Sequence, residues 1–190
     1  MNELSFDKPY LANKGNTAKK LQGTGVPYSE EELLLNAYLA SEPGATDAIE
    51  LATRKGAERL VKILNNRKEG AIDVPGYKVV GFVPFNPVTK YTEATILDLS
   101  TGVKFKCIKG APQVIISICG EHADASKAVL TLAQRGLRAL GVARTIDDKM
   151  ENFEMIGMIS LLDPPRPDSA QTIKECIKLG VGVSFVTFFA

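Results

Sequence analysis

The sequence contains no tryptophan, a single histidine (His122) and three cysteines in 190 residues. Cys107, Cys119 and Cys176 are odd in number, lie far apart and form no C-x-x-C pair. That argues against a disulfide framework and fits a reducing compartment. With one histidine, a zinc site is not expected either. Neither sign of charge is in excess: 23 Lys and Arg face 22 Asp and Glu, a net of +1. A strongly basic nucleic-acid binder is therefore ruled out. So is a disordered tail, because 45% of the residues are hydrophobic, far more than such a tail carries. No run approaches the ~20 apolar residues of a membrane span, and the apolar stretch from Val181 to Ala190 is too short for one. The opening Met1-Asn2-Glu3-Leu4-Ser5 lacks the apolar core of a signal peptide. These absences predict a soluble or peripheral chain without a membrane span, long enough for one domain and part of another, with a core that needs no staples.

The patterning divides the chain. Residues 1–28, rich in Gly, Asn, Lys and Pro, read as an extended lead-in and a loop. Ser29 followed by Glu32 is a capping box, and Leu33–Leu39 then reads as a buried helix stopped by Ser41-Glu42-Pro43-Gly44. A second helix is predicted over Thr46–Leu64, with Ala48, Ile49, Ala52, Leu60, Ile63 and Leu64 as its apolar stripe. After a polar loop from Asn65 to Pro75 the period changes. Tyr77–Val83, Thr92–Leu99 and Val103–Ile108 read as strands, the last two joined by the hairpin signal Ser100-Thr101-Gly102. Helices are predicted at Ala111–Cys119 and Ala123–Arg135, and further strands at Leu137–Arg144 and Glu154–Leu162. The expected architecture is α+β, an antiparallel sheet with helices packed to one side. Asp163-Pro164-Pro165-Arg166-Pro167 is a stiff connector. Beyond it, a helix at Ser169–Leu179 and a strand at Val181–Thr187 read as a fragment of an α/β domain.

Few residues stand out chemically. Lys109-Gly110-Ala111-Pro112 lies between a strand and a helix, where a lysine, a glycine open to close approach and a helix N-terminus suit a phosphate. From spacing alone, a plain turn with a solvated lysine is the preferred reading. Phe85, inside Pro84-Phe85-Asn86-Pro87, is placed to stack on a base or to fill a core. Arg135 and Arg138 are candidate phosphate ligands or surface charges, and Asp47 a candidate helix cap. Familiar templates are missing: no G-x-x-x-x-G-K-[ST] loop and no G-x-G-x-x-G occurs. His122 and the pair Asp147-Asp148 sit in polar turns and read as solvated.

Several segments together resemble the cytoplasmic region of P-type ATPases, most closely the plasma-membrane proton pumps. They are Lys109-Gly110-Ala111-Pro112, Asp163-Pro164-Pro165-Arg166, the run from Phe85 to Ala94, and Arg135-Gly136-Leu137-Arg138-Ala139-Leu140. They stand in family order over nearly the whole chain. The resemblance implies a nucleotide-binding domain at residues 13–157, an antiparallel sheet flanked by helices, with 1–12 as a lead-in from a phosphorylation domain and 158–190 as a hinge and an incomplete piece of it. It implies ATP as ligand, Phe85 as the adenine stack, and Lys109, Gly110 and, less directly, Lys90 at the pocket. Arg138 would reach the phosphates and Asp47 the adenine amino group, with Asp163 and Arg166 at the hinge.

The sequence departs from that family in what it holds. The family's DKTGT motif with the phosphorylated aspartate is absent, as is the GDGxND segment that serves Mg²⁺, and Gln113 stands where the family has Glu. The expectation is an ATP-binding fragment of a proton pump, joined to the rest of a pump when part of a longer chain, that holds ATP without turning it over. The alternative is a non-catalytic interaction module or a functionless remnant of a pump gene.

Overall fold

The computed structural model describes residues 4–12, 28–65, 74–120, 123–163 and 167–184. Seven strands form one antiparallel sheet: β1 (Ser5–Phe6), β2 (Tyr10–Leu11), β3 (Tyr77–Val83), β4 (Tyr91–Asp98), β5 (Lys104–Gly110), β6 (Leu137–Thr145) and β7 (Phe153–Leu162). Their order is β1-β7-β6-β5-β4-β3, and β2 also pairs with β7. The lead-in thus supplies two short strands, in register as Ser5 with Leu162 and Tyr10 with Met158. β7 runs unbroken across residue 157.

β7 dictates the layering. Met155 to Leu161 are all buried, and a strand apolar on both faces must be covered on both. On one face α1 (Glu30–Leu39) and α2 (Ala48–Leu60) join Leu33, Leu34, Ala37 and Ala57 to Ile96, Val142, Ile156 and Ile159. On the other, α4 (Pro112–Ile118) and α5 (Ala123–Gln134) bring Ile116, Ala125 and Leu132 onto Leu137, Met155 and Met158. The sheet is thus flanked by helices, as the resemblance implies, and only the one-sided packing expected from the patterning is corrected. α4 reaches the sheet because Gly141 leaves room: a Cβ there would lie 2.8 Å from Ile115.

Local signals set the helix ends. Ser29 accepts from the Glu32 amide and Glu32 accepts from the Ser29 amide at 2.8 Å, the predicted capping box. α2 stops at Leu60, and a short α3 (Lys62–Asn65) follows after Val61 turns extended. Its buried stripe is Glu50, Ala52, Thr53, Gly56 and Ala57, whereas the expected Leu60 is 57% exposed. Small residues win because α2 is approached closely: a Cβ on Gly56 would collide with the Phe6 ring. Cys107 is fully buried and burial pushes its thiol up to about 12.

The terminal piece differs from expectation. α6 (Ser169–Lys178) forms, but none of its residues is buried. Val181 to Ser184 carry no strand, since a strand needs a hydrogen-bonded neighbour and none of the seven described strands pairs there. His122, Pro164, Pro165, Arg166 and the residues from 185 onward lie outside the described residues.

Candidate functional site

Lys109 sits near the end of β5, one residue before the strand gives way to α4. It is 3% exposed, so the solvated lysine of the simple turn is corrected. Its Nζ donates to Glu50 Oε1, Glu50 Oε2 and Ser41 Oγ, each at 2.7 Å. Burial pulls the ammonium below the ordinary lysine range, against the attraction of Glu50 and Asp47. Glu50 comes from the first turn of α2 and is itself 8% exposed. Ser41 follows α1, its hydroxyl donating to Ala37 O at 2.8 Å. Beside it Thr92 of β4 donates to Ala40 O at 2.6 Å. The charges cancel in a place where either alone would be costly.

The loop between β3 and β4 starts from the same corner. Asn86 organises it: its Oδ1 accepts from Val88 N at 2.8 Å and its carbonyl from Lys90 N at 2.7 Å. Lys90 closes the loop at φ 61°, where a side chain costs about 1–2 kcal/mol, and its carbonyl accepts from Ala111 N at 2.9 Å. On this framework Phe85 is 55% exposed. The core-filling alternative for Phe85 is thereby corrected, and the Lys90 side chain is also exposed.

The other candidates take various places. Asp47 is the exposed N-cap of α2, its Oδ1 accepting from Ile49 N and Glu50 N at 3.0 Å. Gly110 is buried, and what approaches it is the chain itself: a Cβ would meet the Lys90 carbonyl oxygen and Tyr91. The expectation of room for a ligand there is corrected. Arg138 stands exposed at the start of β6 and pairs with Asp163 at 3.6 Å. Arg135 pairs with Asp7 at 2.8 Å, also at the surface. The structure therefore gathers Asp47, Lys90, Lys109 and Gly110 at one corner of the sheet through direct backbone or charge contacts. Arg138 and Asp163 form a separate pair two strands away from β4.

Glu50 and Ser41 were missed by sequence reasoning. A glutamate in an amphipathic helix ordinarily faces water. The available signal was its position in register with Thr53 and Ala57, three and seven residues on, along the face that α2 buries.

No protein-family model matches the chain. Curated proteins do. "Probable proton ATPase 1A" of Leishmania donovani is 40% identical over 125 residues, 62% of this chain and 13% of that protein. "Plasma membrane ATPase 2" of Schizosaccharomyces pombe is 33% identical over 188 residues, 91% of this chain and 18% of its own. "Plasma membrane ATPase" of Zygosaccharomyces rouxii is 33% identical over 196 residues, 98% and 19% respectively. The chain is a homologue of proton and plasma-membrane ATPases. It spans 13% to 19% of the length of these ATPase relatives. Among solved structures, the N-domain of a copper-transporting P-type ATPase superposes with a TM-score of 0.46 at 19% identity, covering 82% of this chain and 97% of that one. Among the described residues of this ATPase homologue, no helix is long and apolar enough to cross a membrane.

Proposed function

We infer that this chain is the ATP-holding segment of a P-type, proton-transporting ATPase and works on the cytoplasmic face of a plasma membrane as part of a longer pump. Residues 13–157 form its nucleotide-binding unit, and the lead-in 1–12 and the segment 158–190, with Asp163 and Arg166 at its hinge, join it to the phosphorylation domain. The observation that carries the reading is Phe85. A large aromatic left 55% exposed on a loop fixed by Asn86 and rooted against Ala111 is a ready stacking platform. The similarity to proton pumps supports adenine as the base that uses it.

The chemistry of this segment is holding. Phe85 stacks on the adenine, Lys90 and Arg138 attract phosphates with exposed charge, and Asp47 offers its free Oδ2 to the adenine amino group. ATP with Mg²⁺ supplies the phosphoryl group that the rest of a pump transfers. Positioning and charge are what the protein contributes to such a step. Stacking is worth roughly 1–3 kcal/mol per base and hydrogen bonds to charged groups about 1.5–3 kcal/mol each; together they must offset about 4 kcal/mol or more of immobilisation. The expected affinity is on the order of 0.1–1 mM, without hydrolysis by the segment alone.

NMR titration with ATP and with adenosine tests this. Phe85→Ala is expected to weaken both by about 5- to 100-fold, the stacking energy lost, while leaving the unfolding midpoint nearly unchanged because the side chain is exposed. No binding at several millimolar in folded wild-type protein overturns the reading. A second reading would then gain: an interaction module that pairs through β3. That strand is one edge of the sheet among the described residues, and it leaves Val79, Val80 and Val83 between 41% and 53% exposed, a surface suited to strand addition.

A further inference from the structure

We propose that Lys109 is a positioning residue that serves the adenine end of the site through Glu50, and is not a phosphate ligand. The inference rests on the ATP-holding reading above and revises the phosphate role that the strand-to-helix setting of Lys109 suggested.

An ammonium has three N–H donors. All three of Lys109 have partners at 2.7 Å: two oxygens of Glu50 and the Ser41 hydroxyl. None is left for a phosphate. To recruit one, Lys109 would have to leave a carboxylate that is itself buried, and a buried carboxylate stripped of its counter-charge is strongly unfavourable. The Lys109 side chain is also placed wrongly for the task. Its Nζ lies inside the layer between β5 and the α1–α2 connection, at 2% side-chain exposure.

What Lys109 does hold is clear from the bonds that continue beyond it. The Glu50 side chain is fixed by Lys109, and the Glu50 backbone amide donates to Asp47 Oδ1 at 3.0 Å. Ser41, on the other side of the ammonium, fixes the chain leaving α1 through Ala37. Lys109 therefore clamps both ends of the connection between the two helices. It thereby fixes the start of α2, where the exposed cap Asp47 sits. Asp47 is the acidic side chain assigned to the adenine amino group.

The two roles separate cleanly in experiment. Lys109→Met and Glu50→Gln are compared with wild type, binding ATP and adenosine at fixed salt. A positioning lysine predicts that each variant weakens ATP and adenosine by the same factor, about 5- to 20-fold. It also predicts that the double variant loses no more than the worse single one. A phosphate ligand predicts loss of ATP affinity with adenosine untouched in Lys109→Met, and independent losses in the double variant. Either result overturns the proposal. Amide hydrogen exchange decides independently of any nucleotide. Ile49, Glu50 and Leu51 should exchange at least 10-fold faster in Lys109→Met while the β6–β7 amides keep their protection. Unchanged exchange there overturns the proposal even if wild type binds no ATP, which by itself would sink only the ATP-holding reading. If Lys109→Met does not fold, the wild-type protein labelled with ¹³Cε-lysine gives the answer. The Lys109 signal, assigned through Lys109→Arg, should move equally with ATP and with adenosine. A shift that follows the number of phosphates refutes the role.

Discussion

A methyl group added at Gly110 would fall against the Lys90 carbonyl oxygen and within 2.6 Å of Tyr91 Cα. These are backbone atoms of a paired strand, so they cannot swing aside. Gly110→Ala is therefore expected to cost about 1–3 kcal/mol of stability, the usual range for overpacking, read as a lowered urea midpoint. Were Gly110 spare room for a ligand, the substitution would be nearly silent in that assay. The sequence marked Gly110 as a position of close approach but not what comes close, because the answer lies in the ladder partner Tyr91. Lys109 was equally visible and equally ambiguous. Its meaning depends on Glu50, 59 residues away, and no local pattern couples the two. Phe85 was legible in its setting but not in its exposure, since a phenylalanine alone reads as core. Prolines on both sides forbid a regular strand, which leaves an aromatic in a bend, and the structure leaves that aromatic in solvent.

At the scale of elements, strands and helices were read almost where they lie, since alternating and helical periods survive in the sequence. The misreadings came where tertiary contact chose among patterns. α2 buries glycine and alanine against Phe6 and α1, so its larger apolar residues were poor guides. The β4–β5 hairpin shows the opposite case, a local signal fully expressed. Asp98 Oδ1 accepts from Ser100 N at 2.8 Å, Ser100 Oγ at 2.6 Å and Thr101 N at 3.3 Å, and Gly102 takes φ 74°. Slight burial pushes the Asp98 carboxyl up, but the bonds from Ser100 and Thr101 outweigh it and hold it below its usual range. A carboxyl lowered on folding stabilises above its unfolded value and loses that contribution as pH falls through the folded one. The hairpin should be fully supported at neutral pH and weaken below roughly pH 4. Asp98→Asn should show a smaller drop in urea midpoint between pH 7 and pH 3 than wild type does. Parallel drops would show that the turn carries no such linkage.

At the scale of the molecule, burial is near-complete along Met155–Leu161 of β7 and runs out beyond Leu162. α6 buries nothing, and Ile177 and Leu179 stand 62% and 81% exposed. Brief trypsin digestion should cut at Lys174 and Lys178 well before any site in β5. Equal resistance of the two regions would mean that α6 is docked and that the terminal piece is not a separate fragment. The first strand carries a different consequence. Ser5 is paired with Leu162, so the chain enters and leaves the sheet through neighbouring strands about 4.8 Å apart. Antiparallel neighbours loaded from the same end part like a zip, one pair at a time. A pull between a host's two attachment points would thus open β1 from β7 first, with the six-stranded remainder still folded. The catch on that zip is the Phe6 ring seated on Gly56, which makes one aromatic side chain the mechanical fuse of the unit.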